Sequence, residues 1–308
     1  MAGGVINTGS LPKLLWPGLQ EVWGMGYDQH EKVYPRLFET VKSDKAYEEY
    51  VFVTGFQVGQ VKPQGQSISY DSQQQGWVTR LTNTTYALGY IVTMEEMEDN
   101  QYAKVAKQRT KALAFSAIQA KEQNGALIYN RAFTSGYVGG DGVTLASTAH
   151  PNVSGGTFAN RPTAGADLSE ASYEDALIAI NGFQDDKGLF VNVKATNLIV
   201  PRQEQFNALR LQKSVYQPGT ANNDINATNY TNAVPGETVV SVYLTSPHAW
   251  FIRTNVGGDA YGMIYQERTP IKFFQDNEFD TRNMKAAYSE RYSFGWDDPR
   301  GLWANPGP

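Results

Sequence analysis

The sequence predicts an α+β protein of about two domains. Three observations carry that prediction: a β-type stretch from Tyr50 to Val92, a helical period that begins at Thr93, and a return to β-type runs in the C-terminal third. A chain of 308 residues matches two domains at roughly 100–200 residues each. With 41% hydrophobic and 12% aromatic residues, it removes enough apolar surface from water to offset the entropy of ordering.

Residues 1–47 mix Gly, Pro, aromatic and charged residues without a sustained period, and predict an extended arm. Leu14, Leu15, Trp16, Leu19, Val22 and Trp23 are costly to leave in water at roughly 25 cal/mol per Å², so they are expected to dock, for instance on a neighbouring subunit. Residues 48–93 follow as EYVFVTGFQVGQV, SISYD and WVTRLTNTTYALGYIV, rich in β-branched and aromatic residues and separated by the turn signals KPQGQ and SQQQG. This stretch predicts a projecting hairpin. At Thr93-Met94-Glu95-Glu96 a capping-box pattern opens a long helix. Its stripe is Tyr102, Val105, Ala106, Leu113, Ala117 and Ala120, and Asn124-Gly125 is expected to stop it before the shorter apolar run ALIYNRAF.

Residues 134–167 are Gly-, Ser-, Thr-, Asn- and Pro-rich and predict a long loop. A helix near Ser172–Phe183, a strand at Ala195–Val200 and a helix begun by Pro201 then form a small α/β unit. After the polar stretch QPGTANNDINATNYTNAVPGE come TVVSVYLTS, AWFIRT, GMIYQE, IKFFQD and AAYSERYSFGW. These are expected to be strands of one antiparallel sheet.

Composition excludes several functions. The net charge of −5 and the lack of a basic stripe argue against gripping nucleic acid through phosphates. The absence of cysteine removes disulfides, thiolate metal sites and Cys nucleophiles. LPKLLWPG is too short an apolar run for a signal peptide or membrane span, so synthesis in the cytoplasm is expected. His30, His150 and His248 lack zinc-motif spacing and predict structural roles. Asp185-Asp186 and Asp297-Asp298 offer paired carboxylates of the kind used in glycoside hydrolysis, but adjacent acids are expected in solvated turns. The glycines at 136, 139, 140 and 142 are not followed by Lys-Ser or Lys-Thr, so they predict a flexible loop and not a phosphate cradle. No G-x-S-x-G elbow occurs. Asn83, Asn152, Asn226 and Asn229 begin N-x-[ST] triplets that an Asn-, Ser- and Thr-rich chain generates by chance. Trp77, Tyr86 and Tyr90 alternate as in sheet packing.

The element order, with TNTTYALGYIVTMEEMEDN leading into the helix, the STAHPN loop, NLIVPRQEQFNALRL, YLTSPHAWFIR and DPRG, resembles the major capsid proteins of tailed bacteriophages, the Hong Kong ninety-seven phage capsid fold, over essentially the whole chain. The resemblance implies an N-terminal arm (1–47), an extended β-hairpin loop (48–93), a peripheral domain with a spine helix (94–140, resumed at 236–308) and an axial domain (141–235). It implies a non-enzymatic subunit that assembles with itself into pentamers and hexamers of an icosahedral shell around phage double-stranded DNA, with no cofactor and no membrane contact. Its location is then the virion, after assembly in the host cytoplasm. Leu15, Trp16, Trp23, Lys62, Trp77, Arg80, Asp298 and Arg300 are the expected subunit contacts.

Further implied partners are a scaffold protein, a portal, an optional decoration protein, and packaged DNA held by weak non-specific contact. Because the arm follows Met1 almost immediately, a separate scaffold is expected in place of a cleaved prosegment. Some members of that family weld subunits by an isopeptide bond from a hairpin lysine. Lys62 is the sole candidate here, and its polar turn predicts a solvated lysine and a non-covalent shell. Two other functions are compatible with the chain: an encapsulin-like compartment, told apart by its contents, and a secreted carbohydrate-binding or hydrolytic protein, told apart by loss of sugar cleavage in Asp297→Asn.

Overall fold

A computed structural model describes residues 16–98, 102–217, 224–256, 260–278, 280–281 and 283–308. In chain order the elements are helices α1 (Trp16–Asp28) and α2 (Tyr34–Leu37), strands β1 (Glu39–Lys42), β2 (Tyr47–Val53), β3 (Gln75–Thr82) and β4 (Thr84–Val92), and helices α3 (Met94–Glu98) and α4 (Tyr102–Asn130). Then come strands β5 (His150–Pro151) and β6 (Thr157–Phe158), helix α5 (Glu170–Asn181), strand β7 (Lys194–Pro201), and helices α6 (Gln205–Lys213) and α7 (Ala227–Tyr230). Strands β8 (Val239–Ser241), β9 (Trp250–Asn255), β10 (Met263–Asn277), β11 (Met284–Trp296) and β12 (Leu302–Asn305) complete the chain. The protein divides into two compact units, one within 1–32, 83–123 and 267–292, the other within 33–82, 124–266 and 293–308.

In the first unit β10, β11 and β4 lie side by side in that order. β11 and β4 run antiparallel from Met284 opposite Val92 to Tyr292 opposite Thr84. Gly89 sits opposite Ala287, where a Cβ would come within 2.8 Å of the Ala286 carbonyl and the Ala287 methyl, so only glycine keeps the ladder. The α4 stripe behaves as its period predicts. Ala106, Leu113 and Ala117 are buried, and the small alanines let neighbouring elements approach closely. The side chains of Tyr102 and Val105 lie outside those described.

The capping box forms by half. Thr93 Oγ1 accepts from the Glu96 N–H at 3.3 Å, whereas the Glu96 carboxylate takes both arms of Arg109 at 3.0 and 2.8 Å.

The arm expectation fails over residues 16–28, which are helical. Leu19, Val22 and Trp23 fall on one helical face and are buried, with Trp23 stacked on Phe273 at 5.0 Å and Tyr288 at 5.6 Å. Gly18, Gly24 and Gly26 obscured this period, since glycine lowers helix propensity without preventing a packed helix. Leu14 and Leu15 lie outside the described residues.

In the second unit β2 and β3 form a hairpin, paired from Tyr47–Thr82 to Val51–Val78 with a bulge before Val53–Gln75. The expected SISYD strand is absent, and residues 54–74 form a long loop. Asp71 explains this: its carboxylate accepts from the Gln57 N–H at 2.9 Å and the Ser72 N–H at 2.8 Å, so side-chain-to-backbone bonds replace a ladder. The run WVTRLTNTTYALGYIV does not stay in the hairpin either. It splits at Asn83 into β3, which pairs with β2, and β4, which pairs with β11.

The larger sheet of this unit has the order β12–β9–β7–β8, with β7 and β8 parallel and the other pairs antiparallel. Leu198 and Val200 of β7 and Trp250 and Ile252 of β9 share one core with Tyr173, Ala176 and Ile180 of α5 and Ala208 and Leu211 of α6. The C-terminal runs therefore do not form one sheet: β8, β9 and β12 belong with β7, while GMIYQE and IKFFQD merge into the single strand β10. A boundary at residue 235 would cut the β7–β8 pair. Asn124-Gly125 does not stop α4, which continues to Asn130. A Cβ at Gly125 would stand 3.3 Å from the Phe38 ring and 3.5 Å from that of Phe294, so this glycine serves close packing.

Candidate assembly surfaces

The β2–β3 hairpin carries an exposed loop at 56–74, and contacts of Arg80, Trp77 and Gly140 hold its base. Arg80 donates from Nε and Nη2 to Glu49 Oε1 at 2.9 and 2.7 Å and covers the Tyr47 ring at 4.0 Å. Trp77 stacks on Phe52 at 4.3 Å and 10°. Gly140 lies so close to the hairpin that a Cβ would meet Thr79 Oγ1 at 2.5 Å and the Val78 carbonyl at 2.8 Å. The glycine loop therefore braces β3, a packing role that composition alone did not disclose.

Beyond this base the loop exposes apolar side chains that its own chain does not cover: Val58 at 69%, Val61 at 95% and Tyr70 at 87%. Lys62 is exposed in the same loop.

Asp298 and Arg300, expected at subunit contacts, are instead buried inside their own unit. The Arg300 guanidinium donates to the Gln184 carbonyl at 2.9 Å, to Asp298 Oδ1 and Asp186 Oδ1 at 3.3 Å each, and to Asn152 Oδ1 at 3.4 Å. It lies 4.0 Å from the centre of the Phe158 ring. Its side chain is 3% exposed and that of Asp186 0%. Asp186 and Asp298 are thus not in solvated turns; a planar five-donor cation gives them a reason to be buried.

Asp297 accepts from the Tyr261 and Gly262 N–H groups at 2.9 and 2.7 Å. Burial pushes its carboxyl above the usual range, opposed by the Tyr261 N–H, with the charge of Asp298 pushing further up. Asp185 accepts from the Lys187 and Leu189 N–H groups. Asp185 and Asp297 are thus committed to backbone N–H groups, while Asp186 and Asp298, one from each pair, share the buried Arg300 guanidinium.

His150 is buried with Nδ1 2.6 Å from Asp141 Oδ2 and Nε2 3.1 Å from Asn160 Oδ1, a structural placement. No group of His, Asp or Glu among the described residues is arranged to hold a metal ion. No helix among them is long and apolar enough to cross a membrane. Asn83 and Asn226 are buried, and Asn226 caps α7.

Of the predicted contacts, Lys62 and Arg80 are exposed and Trp77 half-buried on the hairpin. Trp23, Asp298 and Arg300 are spent within their own chain. Trp16 begins α1, and Leu15 lies outside the described residues. Sequence reasoning missed the outer faces of α5 and α6, where Ile178, Phe206 and Leu209 are exposed. The available signal was the presence of apolar residues on both faces of α6, Phe206 and Leu209 opposite Ala208 and Leu211.

The family described as phage capsid protein matches residues 78–305. The chain belongs to that family. It is a structural capsid protein of phage heads, not an enzyme, and its α+β fold is the Hong Kong ninety-seven phage capsid fold. The mature capsid protein of bacteriophage PhiM1 matches with 9% identity over 89% of this chain and 86% of its own, at a TM-score of 0.55. The procapsid protein of bacteriophage JBD30 matches with 13% identity over 98% of this chain and 77% of its own, at 0.53. The subunit of a virus-like particle from Pyrococcus furiosus matches with 8% identity over 94% and 98%, at 0.52. No curated protein matches the sequence. At such identities the solved structures speak for the fold of this capsid subunit alone.

Proposed function

We propose that this capsid protein assembles into the pentamers and hexamers of an icosahedral head that encloses double-stranded phage DNA, each subunit laying its β2–β3 hairpin and 54–74 loop over a neighbour. The observation that carries this reading is the hairpin itself. Its base carries the Arg80–Glu49 pair and the Trp77–Phe52 stack, and its loop exposes Val58, Val61 and Tyr70. An isolated chain gains nothing from holding such groups in water, at roughly 25 cal/mol per Å² of apolar area; a neighbour that covers them does.

In this reading the unit containing α4, β4 and much of β10 and β11 is the peripheral domain, and the β7–β9 sheet with α5 and α6 is the axial domain. Leu15, Trp16, Lys62, Trp77 and Arg80 remain candidate subunit contacts. A scaffold protein, a portal and weakly bound DNA are the expected partners. The net charge of −5 suits an inner wall that does not hold DNA by its phosphates.

The test is to express the chain with its genomic neighbours, isolate the particles and treat them with nuclease. Protected DNA inside closed shells supports the proposal. Shells holding an enzyme cargo would make this an encapsulin-like compartment, and a chain that stays monomeric at high concentration even with a scaffold would overturn assembly altogether.

A further inference from the structure

Helices α5 and α6 bury their inner faces in the same core. Tyr173, Ala176 and Ile180 of the first and Ala208 and Leu211 of the second meet the β7–β9 sheet, and Gln212 of α6 donates to the Tyr173 hydroxyl at 3.3 Å. With their inner faces so engaged, their outer faces cannot meet each other within one chain.

Those outer faces are complementary. On α5, Ile178 is 70% exposed and the charges around it are acidic: Glu170, Glu174 and Asp175. On α6 and the turn before it, Phe206 is 67% and Leu209 53% exposed, and Arg202, Arg210 and Lys213 flank them. Among the described residues none of these six charged groups has an ion-pair partner. Large apolar side chains ringed by charges of one sign have the anatomy of a protein interface, with an apolar centre and a polar rim, and opposite signs on two faces steer the correct pairing.

We propose that the acidic α5 face of one subunit docks on the basic α6 face of a second copy of this chain. The inference rests on the capsid reading and deepens it by naming the faces. Because the two surfaces differ, the contact is heterologous, and repetition around an axis closes a ring.

The test uses the full chain expressed under conditions where the unaltered protein assembles. One variant carries Glu174→Lys and Asp175→Lys, a second carries Arg210→Glu and Lys213→Glu, and a third carries all four. Circular dichroism and thermal melting confirm that each is folded, and sedimentation with electron microscopy measures assembly. Each two-site variant is expected to lose assembled material at least tenfold while keeping its melting temperature, and the four-site variant to recover it.

Mixing the two purified two-site variants provides a second measurement. Alternating subunits then present matched faces all around a six-membered ring but not around a five-membered one, so six-fold rings are expected to return without five-fold ones. Normal assembly of the two-site variants overturns the proposal, as does failure of both the four-site variant and the mixture to assemble. Failure of the unaltered chain to assemble at all would instead overturn the capsid reading beneath it.

Discussion

Replacing Arg300 by Met tests whether the buried cluster holds the fold or the shell. The substitution keeps the apolar volume against Phe158 but removes the donors to Gln184, Asp298, Asp186 and Asn152. Asp186 then keeps only the Val153 N–H, at 2.8 Å, and stands as a buried carboxylate without a cation. Breaking one side of a buried ion pair costs about 3–5 kcal/mol, a large share of a total stability of about 5–15 kcal/mol. For a body of this size each kcal/mol moves the melting temperature by about 2–4 °C, so the expected fall is about 6–20 °C. Arg300→Lys should lose part of this, because an ammonium cannot reproduce the fork. Adding Asp186→Asn to Arg300→Met should recover more than half by removing the stranded charge. The assay is thermal unfolding of dissociated subunits followed by circular dichroism. A loss below about 2 °C in the subunit, with a defect confined to assembled particles, would refute the intrachain role and restore Arg300 to the subunit interface.

Leu113→Pro should cost about 3 kcal/mol or more by removing a helix bond and clashing with the preceding turn, abolishing soluble expression, while Lys111→Ala at an exposed position should be nearly neutral; equal yields would show that α4 is not packed here. Lys121 and Glu290 lie 2.6 Å apart with side chains 3% and 1% exposed, and burial pushes the Glu290 carboxyl above its usual value against the pull of Lys121. Its folded-state pKa thus exceeds the unfolded one, so its contribution is fully present below the ordinary carboxylate range and is lost as pH rises through the raised value; melting curves from pH 4 to 8 should show Glu290→Gln flattening that decline, and an unchanged slope would remove Glu290 as its source. Lys62 lies exposed in the hairpin loop, and particles boiled in detergent should give one band near 34.1 kDa; a ladder that vanishes in Lys62→Ala would reveal a covalent shell.

What the sequence disclosed follows from which forces are local. The α4 stripe, the Thr93 cap and the β7 strand were legible because period and capping act between residues a few positions apart. Helix α1 was hidden because three glycines diluted its apolar period, and what stabilises it is the stacking of Trp23 on Phe273 and Tyr288, distant in sequence. Strand membership was the main loss: β4 and β3 are separated only by Asn83 yet pair with β11 and β2, and pairing of that kind depends on long-range register. SISYD has strand composition, but Asp71 diverts its backbone bonds. The DPRG motif was expected at a subunit contact, but its Asp298 and Arg300 are buried in their own chain; a charged pair reads the same whether it faces a neighbour or closes a buried network. Gly125 and Gly140 read as punctuation, whereas each permits a close approach that only three dimensions disclose.

Electron microscopy of particles assembled from the full chain tests the central claim most directly. A reconstruction should resolve a closed icosahedral shell in which every tile is this chain, arranged in five- and six-fold rings with each hairpin lying over a neighbouring subunit. A shell whose hairpins point into solvent, or a preparation holding only monomers with a scaffold present, would contradict it.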